Sequence, residues 1–464
     1  MSRQDFLAVR LAEFAAAVSV NDIPDVAFER AKMSLASTVA SAAMGFAIPS
    51  ARIIRELDLG AGGVPSSTVW FDGRRLPPGA AARVNAVASD AAASDDSDLR
   101  SIAHIGTIVS TTSLALGQQL GAGGADALAA MVVGYEIAGR IDEALTPGRM
   151  QRGFHGSVST VFGGTVAAGR LLELTPPQLA HAIALAATSI GGMAISADTS
   201  CGREYHAGAS AAAAVQAALA AAAGFTAELS VLEHPRGFLA AMGGQSIEDI
   251  TRDLGASWDI VTDMAIKLMP GAHPFHATAE AASDAARIGK VDASAIREVF
   301  ISSSVQWTKF RGEPHPRNLV DAAHSLYYFV AASIVDGRFG WQHMDERKMA
   351  DPAIAALQEK IVFDPNPPPL PDRFPHRHGG TVIIRMNDGE EFRSTCKAPR
   401  GSGPRGIEWA DVEDKYRALV PLAGLSPHGV EESLALIRAF EAPRSVGQLM
   451  ALMGSVRRPG GGQG

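Results

Sequence analysis

Five short polar segments interrupt an otherwise apolar sequence, and each holds side chains that could bind an acid or move a proton. Histidine exchanges protons near neutral pH, while arginine and lysine bind carboxylates through charge-assisted hydrogen bonds. Taken singly, each histidine is more readily explained as a structural residue at a helix end or in the core. The segments are Ser94–Ser97 leading to His104–Gly106, Gly153–Ser157, Cys201–Gly208, Ile266–His276 and Ser325–Tyr328.

Two other kinds of site have weaker support in the sequence. Gly60–Gly63 is glycine-rich but lacks the G-x-G-x-x-G spacing and a following Walker lysine, so it is predicted to be a plain loop. The pairs His273/His276 and His376/His378 could bind a metal, but the chain has no H-E-x-x-H helix and no dense array of histidines and carboxylates. The sequence therefore predicts no metal and no cofactor.

Composition excludes several classes of protein. A formal net charge of −8 argues against nucleic-acid binding, which needs a basic surface. Cys201 and Cys396 are the two cysteines, too few for a disulfide framework or a thiolate zinc site, and they fit a reducing cytoplasm. The N-terminus is predicted to be an amphipathic helix rather than a signal peptide. The alanine-rich stretch from Ala207 to Phe225 is predicted to be a buried helix rather than a membrane span, because alanine contributes little to insertion.

The elements that must position these segments change in character along the chain. Up to about Asp263 the pattern predicts successive alanine-rich helices, for example Ile105–Leu120. A strand at Glu298–Trp307 and a hairpin at Thr381–Cys396 follow, and helices return from Trp409. The chain is thus predicted to be mainly α, with an all-helical domain at 1–265 and 401–456, an inserted α+β domain at 266–400 and a flexible tail at 457–464.

The order and content of the motifs resemble those of the MmgE/PrpD family, which includes 2-methylcitrate dehydratases, cis-aconitate decarboxylases and an iminodisuccinate epimerase. The resemblance covers nearly the whole chain and implies a discontinuous all-helical domain with a smaller α+β lid domain, usually in a homodimer. It rests on Gly73–Pro78 through Ala86, Gly153–His155, Tyr205–Gly208, Gly224–Thr226, Leu232–Glu233 and Gly237–Leu239.

The resemblance also implies a site between the domains for a small polycarboxylate. The acid–base and proton-relay residues that it implies are His104, His155, Lys267 and Tyr328. The implied substrate-binding residues are Asp96, Ser97, Arg203, His206 and His276.

Three positions depart from the family pattern. Ala93 replaces an aspartate, Asp90 replaces a histidine and Arg203 replaces a lysine. Because arginine stays protonated, Arg203 cannot be a general base, so we expect it to bind a substrate carboxylate. His104 and His155 then become the leading acid–base pair. Asp90 is one of three aspartates that could compensate for the carboxylate missing at Ala93.

These residues predict a metal-independent lyase of the dehydratase type acting on a citrate-like or aconitate-like acid. An epimerase or isomerase needs proton removal and return without a leaving group, and a decarboxylase is a third possibility. A non-catalytic descendant that kept the fold is the alternative from a different class. Neither nucleic acid nor membrane is an expected partner.

Overall fold

The structure, a computed structural model, describes residues 6–98, 100, 102–189, 192–307, 314–368 and 378–456. The chain divides into two compact units. Unit 1 contains the described residues up to Ala197, Cys201–Ile266 and those from Trp409 onward, and unit 2 contains Asp198–Ser200 and Lys267–Glu408. Most described residues are helical, which confirms the prediction of a mainly α fold. The predicted tail at 457–464 and the metal candidate His376 lie outside the described residues.

The chain up to Ile266 lies in unit 1 except for Asp198–Ser200, and it is mostly helical, with four two-residue strands. The strand pairs β1–β2 and β3–β4 are antiparallel. The helices are α1 Leu7–Ala17, α2 Asp25–Gly45, α3 Pro49–Ala61, α4 Pro78–Ala91, α5 Ile105–Leu120, α6 Gly124–Leu145, α7 Gly148–Gln151, α8 Ser157–Leu171, α9 Pro176–Ala186, α10 Ala194–Thr199, α11 Gly202–Ala222, α12 Phe238–Met242 and α13 Asp259–Thr262, and the strands are β1 Ser67–Thr68, β2 Arg75–Leu76, β3 Ser97–Asp98 and β4 Met264–Ala265.

Unit 2 holds a four-stranded sheet with helices, and the chain then returns to unit 1. The strand order is β6-β5-β7-β8, with β5 and β6 parallel and the other neighbours antiparallel. The elements of unit 2 are α14 His276–Gly289, β5 Ile296–Ser302, α15 Leu319–Ala323, α16 Leu326–Val335, α17 Glu346–Met349, α18 Pro352–Gln358, β6 Ile361–Phe363, β7 Gly380–Met386 and β8 Glu391–Cys396, followed in unit 1 by α19 Trp409–Leu419, α20 Pro427–Arg438 and α21 Ser445–Gly454.

Small residues let the helices of unit 1 approach closely. The predicted buried helix is α11, and its alanines Ala211, Ala214 and Ala218 are fully buried. A Cβ on Gly164 of α8 would lie 2.7 Å from the Cβ of Ala214, so the two helices meet where neither has a bulky side chain. Within the described residues no single helix is long and apolar enough to cross a membrane.

One predicted strand is shorter than the sequence suggested. The expected strand Glu298–Trp307 is observed as β5, which ends at Ser302, and Ser304–Trp307 forms a 3₁₀ turn instead. The hydroxyl of Ser303 donates to the carbonyl of Gly379 and accepts from the backbone N–H of Val305, so the backbone turns at this point. The predicted hairpin is confirmed as β7 and β8. Their antiparallel pairing runs from Gly380 opposite Cys396 to Arg385 opposite Glu391.

Candidate active site

A pocket in unit 1 is built at the ends of four helices. Asp90 lies in the last turn of α4, His104 is the N-cap of α5, and His155 comes just before α8. Arg203 occupies the first turn of α11. The residues that line the pocket are Asp90, His104, Ile108, His155, Ser157, Thr160, Arg203 and Ala207.

His104 is oriented by a buried carboxylate. Its Nδ1 lies 2.9 Å from Oδ2 of Asp95, and the same oxygen accepts a hydrogen bond of 2.8 Å from the hydroxyl of Thr107. Asp95 is fully buried, whereas the imidazole of His104 reaches the pocket. A carboxylate at Nδ1 holds the proton on that nitrogen and leaves Nε2 as the basic position. His104 is thus arranged as a hydrogen-bonded histidine–aspartate pair.

His155 has the opposite arrangement of ring nitrogens. Its Nδ1 accepts from the backbone N–H of Ser157 at 3.3 Å, which indicates that the proton of the neutral ring is on Nε2. The ring centroid lies 6.1 Å from that of His104 and 6.1 Å from that of His206. Burial lowers the pKa of His155 well below its usual value, and the charges of His104 and Arg149 lower it further. His155 is therefore held neutral near neutral pH.

Arg203 is paired with Asp90 across the pocket wall. Its Nε donates to Oδ2 of Asp90 at 2.8 Å, and its Nη2 donates to the backbone carbonyl of the same residue at 2.6 Å. Burial acts to lower the pKa of Arg203. The negative charges of Asp90 and, to a smaller extent, Glu204 have the larger effect and raise that pKa. The observed role of Arg203 is to hold Asp90. Arg203 also lines the pocket, and its role in binding substrate stays a prediction.

Asp96 and Ser97 lie behind the pocket rather than on its lining. Both are fully buried, and Ser97 belongs to β3, opposite Ala265. The carboxylate of Asp96 accepts a short hydrogen bond from the hydroxyl of Ser34. Burial raises the pKa of Asp96 to about 6, and the charge of Asp95 adds to that rise. A direct contact of Asp96 or Ser97 with substrate stays a prediction.

One group of side chains in the described residues has the composition of a metal site. Ligand atoms of Asp90, Asp95 and His104 lie within 4.8 Å of one another. Carboxylate oxygens and an imidazole nitrogen suit a divalent cation. However, Arg203 already binds Asp90, and the 2.9 Å contact between Asp95 and His104 is that of a hydrogen bond. The geometry therefore favours a hydrogen bond between Asp95 and His104 over a metal ion bound to both.

The sequence-predicted residues Lys267, His276 and Tyr328 belong to unit 2. Lys267 and His276 are almost completely buried, as is His273, whose ring centroid lies 4.6 Å from that of His276. Tyr328 in α16 is also fully buried, and its hydroxyl donates to the backbone carbonyl of His343 at 2.9 Å. Burial raises the pKa of Tyr328. The catalytic and binding roles of Lys267, His276 and Tyr328 stay predictions.

The structure adds residues that sequence reasoning did not single out. Thr107 supports Asp95 from the first turn of α5, and Ser157 and Thr160 line the pocket from the first turn of α8. Lys415 of α19 is buried and donates to the hydroxyl of Ser37 at 2.8 Å and to the backbone carbonyl of Ser94. A hydroxyl one turn after a candidate histidine is a local signal that could have identified Thr107. Lys415 has no such signal.

Comparison with known families covers both units. The family model described as the MmgE/PrpD N-terminal domain matches residues 9–249, and the model described as the MmgE/PrpD C-terminal domain matches residues 269–437. The three helix ends that carry His104, His155 and Arg203 all fall within the N-terminal match. The predicted resemblance is confirmed.

Curated relatives match over most of their length at low identity. The chain is 26% identical to the human cis-aconitate decarboxylase over 442 residues, which covers 92% of this chain and 91% of that protein. It is 27% identical to the mouse cis-aconitate decarboxylase over 369 residues, covering 76% and 74%. A cis-aconitate decarboxylase of Aspergillus terreus is 25% identical, covering 85% of each chain.

Proposed function

Because the chain belongs to the MmgE/PrpD family, we propose that it is a lyase that acts on a small citrate-like or aconitate-like polycarboxylate by general acid–base chemistry. The observation that carries this proposal is the pocket lined by His104 and His155, whose rings are 6.1 Å apart, together with Arg203. The names of the relatives support the class of acid.

The two histidines present complementary groups to the pocket, a basic nitrogen and an N–H donor. His104 presents a basic Nε2, because Asp95 holds the proton of Nδ1. His155 presents an N–H at Nε2, because its Nδ1 accepts from Ser157. In a dehydration, Nε2 of His104 would take the proton from the carbon next to a carboxylate, and the imidazolium so formed would give that proton to the departing hydroxyl, which leaves as water. In a decarboxylation, carbon dioxide leaves and His104, protonated from solvent, gives a proton to the carbon. In both reactions the Nε2–H of neutral His155 would donate a hydrogen bond to the substrate.

The pocket is suited to negative charge. First-turn residues of α8 and α11 and the N-cap of α5 line it, and the N-terminal end of a helix carries a partial positive charge. Arg203 adds a guanidinium group that can bind a carboxylate while its Nε remains on Asp90. Fixed positive groups of this kind stabilise the enolate-like charge that develops beside a carboxylate in each of these reactions.

The test is to incubate the purified protein in deuterated water with citrate, 2-methylcitrate, cis-aconitate and iminodisuccinate, and to follow each acid by NMR. Loss of water or of carbon dioxide identifies the lyase and the type of reaction. Deuterium incorporation without net conversion would instead identify an epimerase. An acid that binds without exchange would support the non-catalytic alternative and contradict the proposal.

A chelator control accompanies the same assay. We expect activity to survive treatment with EDTA, because the proposed steps use only side chains of the chain. A large loss that added Mg²⁺ or Zn²⁺ restores would assign the cluster of Asp90, Asp95 and His104 to a metal ion and overturn the acid–base role of His104.

A further inference from the structure

We propose that Asp90 determines substrate specificity: its Oδ1 accepts a hydrogen bond from a hydroxyl or amino group of the bound acid. The site would then prefer a hydroxy- or amino-substituted polycarboxylate over the same acid without that group. This inference rests on the proposed function and narrows it, because cis-aconitate carries no such donor.

Among the described residues, one oxygen of the Asp90 carboxylate accepts a hydrogen bond and the other accepts none. Asp90 is 1% exposed and lines the pocket. Arg203 binds its Oδ2 and its backbone carbonyl. Its Oδ1 has no hydrogen-bond donor among the residues that the structure describes. The nearest histidine nitrogen, Nδ1 of His104, lies 3.7 Å away and has its proton directed to Asp95 at 2.9 Å.

A buried carboxylate oxygen selects the group that approaches it. An ionised carboxylate accepts hydrogen bonds and donates none, so a hydroxyl or ammonium group fits Oδ1, whereas a substrate carboxylate is repelled. An unmade hydrogen bond to a buried charged group is costly, so a ligand without the donor loses affinity. A site that hydrogen-bonds a substrate hydroxyl therefore rejects the analogue that lacks it.

The pairing of Asp90 with Arg203 links two of the departures from the family pattern. Asp90 stands where the pattern has a histidine, and Arg203 stands where it has a lysine. The structure joins the two departures in one ion pair with a 2.8 Å contact. At the third departure, Ala93 is fully buried with φ 51°, and its side chain carries no carboxylate. Asp90 therefore supplies a carboxylate to the pocket near His104. It does so three residues before Ala93, where the family pattern has its aspartate.

A metal ion is the competing use of Asp90. Its carboxylate could contribute to a cation site with Asp95 and His104. The guanidinium of Arg203 at 2.8 Å from Oδ2 opposes a second cation at the same carboxylate. The ligand experiment below therefore includes an arm with EDTA and an arm with added Mg²⁺ or Zn²⁺.

The experiment measures dissociation constants for pairs of acids that differ by one donor, by calorimetry or by competition. The pairs are citrate with tricarballylate, malate with succinate, and aspartate with succinate. For at least one pair we expect the wild-type protein to bind the substituted acid about tenfold or more tightly than its partner. In Asp90→Asn, whose amide would turn a donor toward the pocket, we expect that ratio to fall to about one.

Asp58→Asn is the matched control, since Asp58 is also buried and paired with an arginine, Arg83, outside the pocket lining. It should keep the wild-type ratio. Thermal unfolding shows whether each variant is folded, and if Asp90→Asn does not fold, the wild-type ratio alone decides.

Four results would overturn the inference. Equal binding within every pair, or a ratio that folded Asp90→Asn leaves unchanged, refutes it without touching the proposed function. Binding that needs an added divalent cation assigns Asp90 to a metal. If no acid of any pair binds, the inference and the proposed function fail together.

Discussion

Oδ2 of Asp95 lies 2.9 Å from Nδ1 of His104 and accepts a second hydrogen bond from Thr107. The carboxylate is fully buried and the imidazole lines the pocket, so Asp95 is placed to act on substrate through His104. It is a positioning residue that selects the tautomer of the histidine.

Replacing Asp95 with Asn should therefore impair chemistry more than binding. We expect kcat to fall about 100-fold or more while KM changes little, because the ring loses the carboxylate that keeps Nε2 basic. Steady-state kinetics over a range of pH measures both constants. A merely structural role would instead lower stability without separating kcat from KM, and that result would contradict the assignment.

His155→Ala tests the second histidine of the pocket. Alanine removes the imidazole and its Nε2–H donor, so we expect kcat to fall about 10²- to 10³-fold. The control is His428→Ala, because the side chain of His428 is 90% exposed. Turnover of His155→Ala at the wild-type rate would show that His155 takes no part in the reaction.

The ion pair of Arg203 and Asp90 should show strong coupling in a double-mutant cycle. Arg203→Ala leaves a buried carboxylate without its cation, and we expect a loss of about 3–5 kcal/mol in the free energy of unfolding. Adding Asp90→Ala should recover part of that loss. Denaturant unfolding measures all four proteins. Arg287→Ala removes an exposed pair with Asp284 and should change stability by less than about 1 kcal/mol. Additive effects at Arg203 and Asp90 would contradict the pairing.

Asp96 should make stability depend on pH in an unusual direction. Its pKa is raised by burial to about 6 in the folded chain from 3.8, so the folded state binds more protons than the unfolded state between these values. Its contribution to stability is therefore lost as pH rises through this window. A shift of about two pKa units corresponds to about 3 kcal/mol of unfolding free energy. Asn cannot ionise, so Asp96→Asn does not lose this energy. Between about pH 4 and pH 7 the stability of Asp96→Asn should therefore rise by about that amount relative to the stability of wild type.

Asp292→Asn provides a control of opposite sign. Hydrogen bonds from Ser294 lower the pKa of the exposed Asp292, so its contribution is lost as pH falls. Unfolding at several pH values measures both variants. A stability difference between Asp96→Asn and wild type that does not change with pH would contradict the buried, protonatable state of Asp96.

Gly106→Ala should disturb the loop behind the pocket. A Cβ at Gly106, the second residue of α5, would overlap the carboxylate of Asp96 and the hydroxyl of Ser34. We expect a loss of about 1–3 kcal/mol in stability together with reduced turnover. Gly447→Ala in α21 is the matched control. Among the described residues, no atom outside the local helix backbone and the chain neighbours lies within 4 Å of the added Cβ, so helix propensity should make the change neutral or stabilising. Thermal unfolding distinguishes the two, and equal effects would refute the steric argument.

Local signals made several elements readable from the sequence. The helix Ile105–Leu120 has the predicted bounds, and Gly121 ends it in the left-handed region at φ 70°. Pro176 begins α9, where the side chain of Gln178 also bonds back to Thr175. Each of these signals acts over a few residues, so no tertiary contact is needed to interpret it.

The candidate site was predictable in its residue types but not in its pairings. The sequence by itself placed His104 directly before a helix, and His155 and Arg203 in polar segments of an otherwise apolar chain. The structure showed that His155 and Arg203 also lie at helix starts. The tertiary structure decided that Arg203 holds Asp90, 113 residues away, and that the hydroxyl of Tyr328 bonds to a backbone carbonyl. Such contacts depend on how helices pack, because burial and close approach select each side chain's partner from residues distant in the chain.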